Sequence, residues 1–193
     1  MKLAIFGGTF DPVHEAHLAI ARAAADGFAL DRVLFVPAAH PPHKRGTTRA
    51  AFADRLRMIE LAVAADGRFE ASRLEEFTAC SYSIDTIERV RGELAPGDEL
   101  FFLIGADAFA EIRTWKRWED VVRGVHFLVA ARPGASYEVP PGAVADRLET
   151  VRLPFSSSDV RRALAAGERP EGLPAAVLEY ALSQRLYRAA DPR

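Results

Sequence analysis

Short apolar runs of strand length alternate with helical patterns along most of the chain, and this alternation constrains the fold more than any other feature. The runs are Leu3–Phe6, Val33–Val36, Phe69–Ala71, Leu100–Ile104, Phe127–Ala131 and Val151–Leu153. Between the early ones lie helical patterns at His14–Ala25, Arg49–Ala65 and Ser83–Leu94, with apolar residues every three or four positions. Strand and helix in regular succession predict a mainly parallel sheet with right-handed crossovers. The runs are too uniformly apolar to face water on either side, so helices must cover both faces. The expectation is a Rossmann-like, doubly wound α/β fold. With 193 residues, 49% of them hydrophobic, the chain can bury one substantial core. Residues 1–193 are therefore expected to form a single domain, with a C-terminal helical segment over about 157–187. In such sheets ligands lie beyond the carboxyl ends of the strands.

The first strand runs directly into Gly7-Gly8-Thr9-Phe10-Asp11-Pro12-Val13-His14-Glu15-Ala16-His17 and then into a helical pattern. Paired glycines let the backbone approach a ligand, and a helix start offers unpaired N–H groups to an anion. That combination is phosphate-binding architecture, although neither G-x-G-x-x-G nor G-x-x-x-x-G-K-[ST] is present. His14 and His17 are three apart, so a helix beginning near Val13 sets both on one face of its first turn. Their spacing differs from H-E-x-x-H and the chain has a single cysteine, so no protein-bound metal is expected.

Further segments carry the same chemistry. Pro41-Pro42-His43-Lys44-Arg45 is a proline-stiffened loop ending in consecutive cations, suited either to polyphosphate or to simple solvation. Ser156-Ser157-Ser158, with Arg161 one turn on, gathers hydroxyls, free amides and a guanidinium at another helix start, as a cap or as a second anion site. Asp107, after Gly105, is open to two readings, a helix cap or an acceptor for ribose hydroxyls. His126 reads as a structural histidine beside a buried strand. A formal net charge of −2 gives no global field to attract nucleic acid or an anionic membrane. The lone Cys80, and an N-terminus that enters a short strand directly, lead us to expect a cytoplasmic protein.

Together these segments resemble the nucleotidyltransferase superfamily with its G-T-F-D-P-x-H-x-x-H and S-[ST]-x-x-[IV]-R motifs. Within it the chain is most similar to the bacterial nicotinate mononucleotide adenylyltransferases. Pro41-Pro42-His43-Lys44, Ser81-Tyr82-Ser83-Ile84-Asp85-Thr86, Ile104-Gly105-Ala106-Asp107 and Thr114-Trp115 extend the likeness over nearly the whole chain. Departures are Ala16 where the family commonly has glycine, Ser83 for threonine, and Phe155 to Ser158 for isoleucine and Ser-Ser-Thr. The resemblance implies adenylyl transfer from ATP to nicotinate mononucleotide, with Mg2+ carried by the phosphates. It implies that His14, His17, Lys44 and Arg161 serve the reaction, and that Gly7, Gly8, Thr9, Phe10, Gly105, Asp107, Ser157 and Ser158 bind ATP. The amides around Gly8–Phe10 and His17 would face the α-phosphate, and Ser157, Ser158 and Arg161 the β/γ end. Ser83, Ile84 and Lys116 would meet the mononucleotide through backbone amides, and Trp115 would stack on its ring. A nicotinamide mononucleotide substrate and a non-catalytic nucleotide sensor are the rival readings. The phosphopantetheine enzymes typically carry threonine where His14 stands.

Overall fold

The computed structural model describes residues 1–40, 48–131, 134–149 and 156–188. Six strands form one sheet: β1 (Lys2–Gly8), β2 (Arg32–Pro37), β3 (Phe69–Ala71), β4 (Glu99–Gly105), β5 (His126–Ala131) and β6 (Val144–Glu149). Their order is β3-β2-β1-β4-β5-β6, and all five pairings are parallel. The sequence therefore leaves β1 outward in both directions, first through β2 and β3, then through β4 to β6. That reversal opens a crevice beyond the carboxyl ends of β1 and β4, the usual ligand position in doubly wound sheets.

The connecting helices are α1 (Glu15–Phe28), α2 (Phe52–Val63), α3 (Ser83–Glu93), α4 (Ala106–Ala110), α5 (Trp118–Gly124), α6 (Ser157–Ala165) and α7 (Ala175–Ser183). Successive strand residues point to opposite faces, and here both faces are covered. Ala4 and Phe6 of β1 pack with Leu18, Ala21 and Ala25 of α1, Met58 and Ile59 of α2, Val160 of α6 and Val177 of α7. Leu3 and Ile5 face the other way, towards Ile84, Ile87 and Val90 of α3, Phe109 of α4 and Val121 of α5. A ring such as Phe35, with no exposed surface, contributes about 1.5–3 kcal/mol by leaving water. Two-sided burial is why the strands read as continuous apolar runs.

The expected strand at Val151–Leu153 lies outside the described residues. The sixth strand is β6, in a stretch with no apolar run. It sits at the sheet edge with Val144, Asp146, Arg147 and Glu149 exposed and only Leu148 buried, so its sequence is that of an edge and not of a core strand.

Candidate functional site

The loop after β1 is built around Phe10, which is 2% exposed and has a positive φ of 47°. Its ring meets His17, Phe6 and Phe35 at centroid distances of 5.0, 5.4 and 5.7 Å. A Cβ on Gly8 would lie 2.9 Å from that ring, whereas one on Gly7 would make ordinary contact with Phe102 at 3.6 Å. The Cβ side of Gly8 is thus filled by the Phe10 ring, so a side chain there would displace it. Next in the chain, Asp11 is buried, and its carboxylate accepts the amides of Arg49 and Ala50 and the hydroxyl of Tyr187, at 2.7, 3.1 and 2.8 Å. Burial and the facing carboxylate push the Tyr187 phenol well above its ordinary range. That phenol remains a donor.

His14 is not in the first helical turn, which corrects the expected helix start near Val13. Its backbone is extended, with φ −148° and ψ 172°, and α1 begins at Glu15 with His14 as N-cap. A cis peptide joins Asp11 to Pro12 just before it. The backbone N–H of His14 donates to Nδ1 of His17 at 3.2 Å, and the two rings stack with centroids 3.8 Å apart. Burial lowers the His14 pKa to about 4. His17 is pushed well below its ordinary value by burial and then by the facing His14. Both are neutral at pH 7, so these imidazoles act as hydrogen-bonding groups and not as cations. The helix start also has fewer free amides than expected. Glu15 N–H donates to the Gly172 carbonyl at 2.8 Å and His17 N–H to that of His14 at 2.9 Å.

At the start of α6 only Ser156 is spent on capping. Its hydroxyl accepts from Asp159 N–H at 3.3 Å, while the Asp159 carboxylate accepts from Ser156 N–H at 3.1 Å. The hydroxyl and amide of Ser156 hold Asp159 below the usual carboxylate range. Ser157 is left to donate to the Pro12 carbonyl at 3.0 Å, and Arg161 to the Asp11 carbonyl at 2.7 Å and Ser158 Oγ at 3.2 Å. The two anion sites inferred separately from sequence are therefore one place, where the α6 start rests on the loop after β1.

Across the crevice, Gly105 ends β4 and N-caps α4, with open space where its Cβ would stand. Asp107 is exposed in the first turn of α4 and does not cap it. Ser83 opens α3, and the side chain of Ile84 is core, 3% exposed, so only its backbone could serve a ligand. Trp115 is half-buried, edge-on to Phe102 at 6.1 Å. Lys116 Nζ lies 3.3 Å from the Asp85 carboxylate and 4.3 Å from the centre of the Tyr82 ring. Lys44 lies outside the described residues. His126 makes the structural contact expected of it, with Asp146 at 2.8 Å.

Sequence reasoning overlooked Asp11, Tyr187 and the buried Arg55, whose Nη1 donates to the Thr9 carbonyl at 2.7 Å. A readable signal existed for the last. Arg55, Met58, Ile59 and Ala62 share one helical face, and all are buried. An open cleft of about 580 Å3 at the amino ends of β4 and β5, lined by Arg91, Asp98, Arg123 and His126, contains none of the site residues.

A parallel sheet whose strand order reverses at β1, with a glycine turn, a histidine pair and a serine–arginine helix start at its carboxyl edge, defines a nucleotide-binding α/β domain. The chain belongs to the cytidylyltransferase-like family, whose model matches residues 5–163. A probable nicotinate-nucleotide adenylyltransferase of Solibacter usitatus is 67% identical over 187 residues, covering 97% of this chain and all of its own length. One from Geobacter sp. strain M21 is 40% identical over 213 residues, covering 97% and 98%. Among solved structures, the Plasmodium falciparum nicotinic acid mononucleotide adenylyltransferase complexed with NaAD superposes with a TM-score of 0.76, over 96% of this chain and 97% of that one. At 18% identity, that likeness establishes the shared fold.

Proposed function

We propose that this protein transfers the adenylyl group of ATP to the 5′-phosphate of nicotinate mononucleotide, giving nicotinate adenine dinucleotide and pyrophosphate. The observation that carries the site assignment is the contact of α6 with the loop after β1, which brings His17, Ser158 and Arg161 to one end of the sheet. The relatives' names agree with the reaction.

The nucleophile needs no activation, because a phosphate monoester is already anionic. One of its oxygens bonds to the α-phosphorus as the bond to the α,β-bridging oxygen breaks, and that electron pair leaves with pyrophosphate. What the protein must supply is alignment of two repelling polyanions and donors for the charge that develops. Because His17 Nδ1 already accepts the His14 amide, the neutral ring carries its proton on Nε2. That N–H is the donor assigned to the α-phosphate, together with the amides of Thr9 and Phe10. Arg161 and Ser158 take the β/γ end, with Ser157 holding the loop against α6, and Lys44 adds charge. Across the crevice, Gly105 and Asp107 take the adenosine side. For the mononucleotide, Trp115 stacks on the ring, and the backbone N–H groups of Ser83, Ile84 and Lys116 donate to its carboxylate.

The Asp11 carboxylate accepts from Arg49, Ala50 and Tyr187, and no cluster of metal-ligating side chains is found among the described residues. In the proposed reaction Mg2+ arrives on the phosphates of ATP and is held there by phosphate oxygens and water. No helix among the described residues is long and apolar enough to cross a membrane.

The test is pyrophosphate release from ATP with nicotinate mononucleotide or nicotinamide mononucleotide as acceptor. Release with the nicotinate substrate and little with the amide is expected. Release with neither sinks the reading.

A further inference from the structure

Arg55 is a charged side chain in an apolar setting. It stands in the first turn of α2, is 1% exposed, and lies on the face that carries Met58, Ile59 and Ala62 into the core. Leaving such a guanidinium unmet would cost several kcal/mol. Its Nη1 donates to the Thr9 carbonyl at 2.7 Å and its Nε to the Ala50 carbonyl at 3.3 Å. Burial lowers its pKa, and Asp11, Tyr187 and Glu75 act in the opposite direction. Glu75 is itself 7% exposed, with Oε1 accepting from Thr86 at 2.6 Å and Oε2 without a hydrogen-bond partner among the described residues. Buried carboxylates near a buried cation balance it at a distance.

The carbonyl that Arg55 holds belongs to the same peptide plane as the Phe10 N–H. In a trans peptide these two groups point in opposite directions. A cation on the carbonyl draws electron density out of the plane and makes the N–H a stronger donor. Neither the Thr9 nor the Phe10 amide donates to a backbone carbonyl among the described residues.

We propose that Arg55 is a positioning residue for the reaction: it fixes the Thr9–Phe10 peptide and, through that peptide, strengthens the Phe10 N–H as a donor to the α-phosphate of ATP. This rests on the adenylyl-transfer reading above. Arg55 touches no substrate. Its effect arrives through the backbone, which explains an arginine at a position where packing alone calls for leucine.

The test compares wild type, Arg55→Met and Arg55→Lys with ATP and with the two diastereomers of ATPαS, in which sulfur replaces one or other non-bridging oxygen of the α-phosphate. Sulfur accepts hydrogen bonds poorly, so an N–H aimed at one of those oxygens makes the enzyme discriminate between the diastereomers. Arg55→Met should lower kcat per folded site on the order of tenfold or more, narrow the diastereomer ratio, and leave KM for the mononucleotide within about twofold. Arg55→Lys, which keeps the charge, should fall between. Tyr180→Phe, which removes a 2.9 Å bond to Asp54 on the same helix, should alter stability but neither rate nor ratio. An unchanged ratio and rate in Arg55→Met, or the same changes in Tyr180→Phe, overturns the proposal. If Arg55→Met does not fold, the Phe10 amide of 15N-labelled wild type decides. It should move downfield on titration with α,β-methylene-ATP, and a stationary resonance overturns the proposal equally. Absence of pyrophosphate release by wild type would instead sink the underlying reaction, which the same assay reports first.

Discussion

The backbone N–H of His14 is bound by Nδ1 of His17, 3.2 Å away, and the two rings lie 3.8 Å apart, tilted by 33°. In a capping box the residue three beyond the N-cap is usually Glu or Gln, reaching back to the same N–H. Histidine does that work here with one ring nitrogen and leaves the other free to donate. The cap and the proposed chemistry share one side chain.

They can be separated. Glutamine in place of His17 can still accept the His14 amide but presents no Nε2–H. His17→Gln should fold normally and lose roughly 10²–10³-fold in kcat, as the loss of a preorganised oxyanion donor does. His17→Ala should lose as much activity and also about 0.5–2 kcal/mol of stability. Thermal melts with pyrophosphate assays give both readings. A His17→Gln enzyme with normal turnover would reduce the pair to a helix cap.

Both imidazoles also make folding sensitive to acid. An unfolded histidine titrates near 6.5, whereas His14 in the fold titrates at about 4 and His17 well below its ordinary value. Between those limits the unfolded chain binds more protons, so stability is complete above about pH 6.5 and falls as the pH drops towards 4. The ceiling is about 1.4 kcal/mol per pH unit for each histidine. Urea midpoints at pH 7.5 and 5.0 measure it, and His17→Gln should flatten the slope. A midpoint that holds at pH 5 would show the histidines accommodated as cations.

Arg161 should separate the two substrates. Its guanidinium joins the Asp11 carbonyl to Ser158 and, in the proposed site, a terminal phosphate. Arg161→Met should weaken ATP by about tenfold or more, as loss of a charge-assisted contact does, while nicotinate mononucleotide binds almost as before. Calorimetric titration of each ligand decides, and equal losses would refute the assignment.

Trp115 should show the opposite pattern. Trp115→Ala removes a ring that packs edge-on to Phe102, so some stability is lost, but the larger effect should be a fall in kcat/KM for the mononucleotide with ATP affinity retained. Wild type should also prefer the nicotinate over the nicotinamide substrate, since the amides of the proposed pocket would offer only donors and the carboxamide brings a donor of its own. Equal use of both substrates would remove the basis for that pocket.

The alternation of strands with helices and the histidine pair were legible in the sequence because each rests on local spacing. β1, β2, β4 and β5 are apolar runs, β3 is a short edge strand anchored by Phe69, and His14 and His17 lie within one turn of each other. β6 escaped because an edge strand buries little, in this case Leu148 alone. The merging of the two anion sites was illegible for a different reason. Ser157 meets Pro12 across 145 positions and Tyr187 meets Asp11 across 176, and no pattern of neighbours records such distances. Histidine charge also escaped sequence reasoning, since the residue type gives an ordinary pKa and only burial moves it.

The bond between Tyr187 and Asp11 also sets an order in time. Residues 9–17 leave the ribosome before Tyr187, so Asp11 gains its third donor only when Tyr187 emerges, 176 residues later. At 5–20 residues per second that interval is roughly ten to thirty-five seconds. Once β2 has emerged the nascent chain can pair β1 with β2 and bury α1, but for most of the interval the loop after β1 lacks the α6 start, and for all of it Tyr187. A chain released before residue 157 would carry the glycine–histidine segment without Ser157 and Arg161, whose side chains hold the Pro12 and Asp11 carbonyls in the finished fold.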